Sequence, residues 1–141
     1  MISFRYRLPT LIGLVTLLTL SGCGESGPQL VQVSGVITLD GTPVPQLGVQ
    51  FSPAFEKASP AYGVTDADGR YQLLYSADRK GAMPGTYIVE LQALEPQFDE
   101  AGNRVGPPPV KLPKKYDSSG SLSAEVNSGE SNTVNFELTS K

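Results

Sequence analysis

No histidine occurs in the 141 residues, tryptophan is absent, and there is one cysteine. The missing imidazole excludes a Ser-His-Asp triad, a Cys-His pair, and histidine-ligated zinc or haem. A single cysteine excludes an internal disulfide. Charge is sparse as well: 11 Lys and Arg stand against 14 Asp and Glu, a formal net charge of −3. That balance is too mild and too acidic for a nucleic-acid binder. What the chain has in plenty is backbone punctuation, with 15 glycines and 12 prolines. With 39% hydrophobic residues, this argues against a helical bundle and suits short strands joined by turns. The length leaves room for one domain.

The N-terminal segment reads as a targeting signal. Arg5 and Arg7 precede an uncharged run from Leu8 to Leu20. As a helix that run covers roughly 20 Å, short of the roughly 30 Å hydrocarbon core, so a secretory signal fits better than a membrane span. Leu20-Ser21-Gly22-Cys23 follows and resembles the bacterial lipobox. Small residues there suit a signal peptidase cleft, and the thiolate reaches a diacylglyceryl donor at the membrane surface. The expectation is a lipoprotein signal over residues 1–22, a lipidated tether over 23–30, and a folded domain over 31–139. Lipidated Cys23 would tie the domain to a membrane of the bacterial cell envelope, since more than one acyl chain gives stable attachment. Whether that is the inner or the outer membrane stays open.

Beyond the tether, apolar residues recur at period two. Val31, Val33, Ile37 and Leu39 share one parity, and so do Leu47, Val49 and Phe51. Tyr71, Leu73 and Tyr75 form a third set; Tyr87, Val89, Leu91 and Ala93 form a fourth. Leu122, Ala124 and Val126 precede a last set of Val134, Phe136 and Leu138. Each set reads as a strand with one buried face, and Val64-Thr65 reads as a further short strand. Turn residues fill the gaps: Asp40-Gly41, Asp68-Gly69, Pro84-Gly85 and Asn127-Ser128-Gly129. The pattern predicts an all-β, antiparallel two-sheet sandwich.

Three stretches carry a resemblance: Val33 to Phe51 with its Asp40-Gly41-Thr42-Pro43 turn, Thr65 to Tyr71, and Pro84 to Val89. Together with Leu112 to Tyr116 and Val126 to Leu138, they resemble the carboxypeptidase regulatory-like, or transthyretin-like, domain of small bacterial lipoproteins. The resemblance implies a prealbumin-like Greek-key sandwich of about seven strands and no enzyme activity. Transthyretin relatives that act on a purine breakdown product rely on histidines and a C-terminal tetrapeptide. This chain ends Leu138-Thr139-Ser140-Lys141, so that activity does not carry over.

Two segments are candidates for binding. Asp66-Ala67-Asp68-Gly69 opens like a calcium loop, but position 12 of an EF-hand falls on Ala77. The segment reads better as a turn, and no metal or other cofactor is expected. Glu95–Gly120 is the longest interval without strand pattern, with Pro107-Pro108-Pro109 in its middle. Phe98, Lys111, Lys114, Lys115 and Tyr116 make it the candidate partner-binding segment. The other reading is an insertion along a sheet edge, where prolines discourage strand addition. The expected function is a lipid-anchored, non-catalytic binding or structural module whose partner is an envelope protein or glycan. The alternative is a carrier for a small ligand, glycan or calcium.

Overall fold

Along Leu47–Pro53 the side chains alternate between core and surface: Leu47, Val49 and Phe51 are buried, while Gly48, Gln50 and Ser52 lie on the other face. The same alternation runs through every long strand of this computed structural model, which describes residues 27–117 and 122–141. In chain order the strands are β1 (Val33–Leu39), β2 (Thr42–Pro43), β3 (Leu47–Pro53), β4 (Ala61–Val64) and β5 (Arg70–Gln72). They continue as β6 (Leu74–Ser76), β7 (Arg79–Lys80), β8 (Gly85–Ala93), β9 (Gln97–Phe98) and β10 (Arg104–Val105). After a 3-10 turn at Lys114–Tyr116 come β11 (Leu122–Val126), β12 (Asn132–Thr133) and β13 (Phe136–Leu138). Cys23 and the rest of the expected signal lie outside the described residues.

The larger sheet has the order β11-β8-β3-β4-β6-β7 and is antiparallel throughout. The smaller sheet is built around β1, which pairs with β2 and β5 antiparallel and with β12 and β13 parallel. The all-β sandwich is therefore as the alternation predicts, with a parallel ladder between its first and last strands. Between the sheets Phe51 is fully buried, its ring 5.7 Å from Tyr87, 6.3 Å from Tyr71 and 6.3 Å from Phe136. Such tilted and edge-on aromatic pairs add to the hydrophobic gain of burial.

Three local readings need correction. The run from Tyr71 to Tyr75 is not one strand. It breaks at fully buried Leu73, so that β5 joins the smaller sheet and β6 the larger. The expected strand at Val64-Thr65 runs instead from Ala61 to Val64, with Val64 pointing outward. Its inward residues are Ala61 and Gly63, too small to announce an apolar face. Thr65 is buried just beyond it, and its hydroxyl accepts the Leu47 N–H at 2.9 Å. Finally, the interval from Glu95 onward contains the β9–β10 hairpin and the 3-10 turn; residues 118–121 lie outside the description.

Candidate functional site

The chain enters the sandwich at one end. Val31 exchanges two backbone hydrogen bonds with Ala82, at 2.9 and 3.0 Å, and the Arg79 guanidinium donates to the Pro28 carbonyl at 3.0 Å. The expected tether is thus held from Pro28 onward. β1 then carries the chain roughly 20 Å, at about 3.3 Å per residue, to the opposite end. There the Asp40-Gly41 turn, the Asp66–Arg70 turn, the Glu95–Asp117 segment and the C-terminal residues gather.

At that far end the candidate residues divide. Phe98 is 61% exposed on the β9–β10 hairpin, and Lys111 and Lys114 are exposed. Lys115 and Tyr116 instead clasp the end of the chain. The Lys115 ammonium donates to the Thr139 hydroxyl at 2.8 Å and to the Lys141 carbonyl, and the Tyr116 oxygen accepts the Thr139 N–H at 3.0 Å. That donated bond holds the Tyr116 phenol below its usual range. Val110, Leu112 and Tyr116 pack against the core, so the second half of the segment is structural and the exposed half is the hairpin with the prolines behind it.

Asp66 forms a turn, as its sequence suggests. Its Oδ1 accepts the N–H groups of Asp68 and Arg70, each at 2.9 Å, and Gly69 takes φ +72°. Asp99 repeats the arrangement: Oδ1 accepts Ala101 and Asn103 N–H at 3.0 and 2.8 Å, and Gly102 takes φ +81°. Both stretches carry the same signal, Asp-x-x-Gly, and in the second it makes the β9–β10 hairpin.

A concavity absent from sequence reasoning lies on the outer face of the larger sheet. Register places Tyr62, Gln50 and Glu90 side by side across β4, β3 and β8, and Val64, Gly48 and Gln92 beside them. Gly48 leaves the second row without a central side chain, and a notch of about 470 Å³ opens there, lined also by Tyr116, Asp117 and Leu94, whose side chain leans over Gly48. Gln50 donates to Ser52 Oγ at 2.9 Å, and Ser52 reaches Glu90 at 3.4 Å, which orients the polar side chains along the floor.

No family model matches the sequence, and no curated protein matches it. Among solved structures, the chain is similar to the major pilin subunit BcpA of Bacillus cereus at 10% identity and TM-score 0.48, covering 81% of this chain and 31% of that one. It is similar to a DUF3823 family protein from Parabacteroides merdae at 16% identity and TM-score 0.44, covering 80% and 47%. A 9R-lipoxygenase from Cyanothece also aligns, at 16% identity and TM-score 0.42, covering 81% of this chain and 17% of the enzyme. This chain spans less than half the length of each, and the likeness is one of β-rich fold alone.

Sequence reasoning missed the notch because it needs three strands in register. The only local signal was a glycine at an outward position of β3. Gly48 is not among the residues with positive φ, so its backbone does not demand glycine.

Proposed function

We propose that this chain is a lipid-anchored, non-catalytic module of the bacterial cell envelope, of the carboxypeptidase regulatory-like type, which offers its membrane-distal end to an envelope partner. The observation that carries this reading is the opposition of the two ends. The chain leaves toward Cys23 at Pro28, beside Arg79 and Ala82, while the Glu95–Asp117 segment sits at the other end of β1. A lipid on Cys23 would hold the first end at the membrane and turn Phe98, Lys111 and Lys114 away from it. The two lysines on an otherwise acidic protein favour an anionic patch, with an affinity that falls as salt rises. The absence of histidine removes the commonest general base.

Two measurements test the reading. Cys23→Ser should stop incorporation of labelled fatty acid and move the protein to the soluble fraction; continued sedimentation with membranes after signal cleavage would refute the anchor. A photo-crosslinker at position 98 or 111 should capture an envelope partner that a crosslinker at position 56, near the Pro28 end, does not. Equal capture from both ends would refute the distal surface.

A further inference from the structure

Beyond the distal segment, we infer that the notch at Gly48 is a binding site for an uncharged saccharide. Its shape comes from one missing side chain. In an antiparallel sheet, directly opposed side chains stand about 4.5–5.5 Å apart and normally cover the backbone between them. At Gly48 that cover is reduced to the Leu94 side chain, whose tip lies 3.3 Å from where a Cβ would stand, with Val64 on β4 and Gln92 on β8 to either side. The volume of about 470 Å³ falls within the roughly 300–1,000 Å³ of small-molecule sites.

The lining selects the chemistry. Gln50, Glu90 and Gln92 present amide and carboxylate groups in one patch of the floor. An amide offers both a carbonyl acceptor and two N–H donors, and a carboxylate accepts; a sugar hydroxyl donates one bond and accepts two. Neighbouring hydroxyls on a pyranose ring therefore match a row of planar side chains. Tyr62, 52% exposed, lines the notch together with Tyr116, whose ring carries the Lys115 ammonium at 5.1 Å, and the open ring of Tyr62 supplies a flat apolar surface with a polar edge. The C–H face of a sugar ring packs on such a surface while its hydroxyls reach the floor.

Charge narrows the class further. Among the described residues no lysine or arginine lines the notch, whereas Glu90 and Asp117 do. A phosphate, a uronic acid or a nucleotide would meet two carboxylates, while the Lys115 ammonium, 5.1 Å from the Tyr116 ring, is committed to Thr139 and the Lys141 carbonyl. The polar row is also braced before any ligand arrives, through Gln50, Ser52 and Glu90, which lowers the ordering entropy of binding. On the other side of Tyr62 the face turns apolar, since its cross-strand neighbour is Leu74, 39% exposed.

Isothermal titration of the full lipidated chain in detergent micelles tests this with four probes: maltohexaose, cellohexaose, N-acetylchitohexaose and, as the anionic comparison, hexagalacturonate. At least one neutral oligosaccharide should bind saturably with a Kd at or below about 1 mM. Tyr62→Ala and Gln92→Ala should each weaken it tenfold or more, with circular dichroism unchanged. Gly48→Leu, which fills the notch, should abolish it. Absence of saturable binding by all three neutral probes would overturn the inference. So would preference for hexagalacturonate, or neutral binding that survives both Tyr62→Ala and Gln92→Ala.

Discussion

The phenolic hydroxyl of Tyr71 donates a 2.6 Å hydrogen bond to the backbone carbonyl of Val134, reaching across β1 at Gly35. β1 separates the two partners: Gly35 is paired with Tyr71 on one side, and Ser34 with Thr133 on the other. A Cβ on Gly35 would overlap the Val134 carbonyl oxygen and come within 2.9 Å of the Tyr71 ring. The bond exists because position 35 carries no side chain. It ties the beginning, middle and end of the folded chain at one point.

Gly35→Ala should therefore destabilise the domain by about 3 kcal/mol or more, beyond the usual cost of an added methyl, because the obstacle is backbone and cannot rotate away. Chemical denaturation followed by far-ultraviolet circular dichroism reads this. A loss under about 1 kcal/mol would mean that β12 and β13 dock more loosely than described.

Tyr71→Phe isolates the hydrogen bond from the packing. It should cost about 0.5–1.5 kcal/mol at neutral pH. Burial pushes the Tyr71 phenol well above its ordinary value of 10.0. Because the folded value is raised, the stability from the neutral phenol is fully present below pH 10 and is lost as pH rises further. The wild type should thus lose denaturation midpoint between pH 9 and 11 more steeply than the variant. Parallel curves for the two would contradict the assignment.

The acid side belongs to Asp99 and Asp40. The Asn103 N–H, first among the hydrogen bonds to its carboxylate, holds Asp99 below the ordinary 3.8. Ser140 does the same for Asp40 at the other turn. Both folded values are depressed, so the stabilisation is present above about pH 4 and is lost as pH falls through those values. Amide resonances of Ala101, Asn103 and Ser140 should move with midpoints below 3.8. Midpoints at or above that value would show that the carboxylates do not hold these turns.

Phe51→Ala removes the ring at the centre of the aromatic cluster. With Phe51 fully buried against three other rings, the expected loss is about 3–5 kcal/mol. Thermal denaturation that shifts by only a degree or two would place the core elsewhere.

Deleting 97–109 should leave the melting temperature within a few degrees of the parent, since every residue there is exposed and surface loops contribute little stability. Leu112→Ala, just beyond it, should cost more, because Leu112 packs on the core. The reverse ranking would make the hairpin the structural half of the segment.

The long strands were legible because period two needs only local information: each inward set from Val33 to Leu138 contains residues large enough to announce its face. Ala61 and Gly63 escaped for the opposite reason, their small side chains being dictated by what packs above them. A Cβ at Gly63 would lie 2.9 Å from the Gln72 carbonyl, a constraint set by a strand nine residues away. The break at Leu73 was equally invisible, since an inward residue looks the same whether its strand stays in one sheet or passes to the other. Of the candidate binding residues, Lys111 and Lys114 stand at the surface as their type suggests, whereas Phe98 is exposed against its type. The commitment of Lys115 and Tyr116 to Thr139 depends on a contact more than twenty residues distant.

The parallel ladder between β1 and β13 has a mechanical consequence. Ile37, Thr38 and Leu39 lie against Phe136, Glu137 and Leu138 with both strands running the same way. A pull on Pro28 at one end of the sandwich and on Leu138 at the other acts along the strands in opposite senses. The ladder's hydrogen bonds lie across that direction, so they share the load and must slip together. An antiparallel hairpin held by its two open ends would instead unzip, each hydrogen bond breaking in turn. Tension between those two points therefore meets the sandwich in shear, the loading geometry in which a β-ladder is hardest to separate.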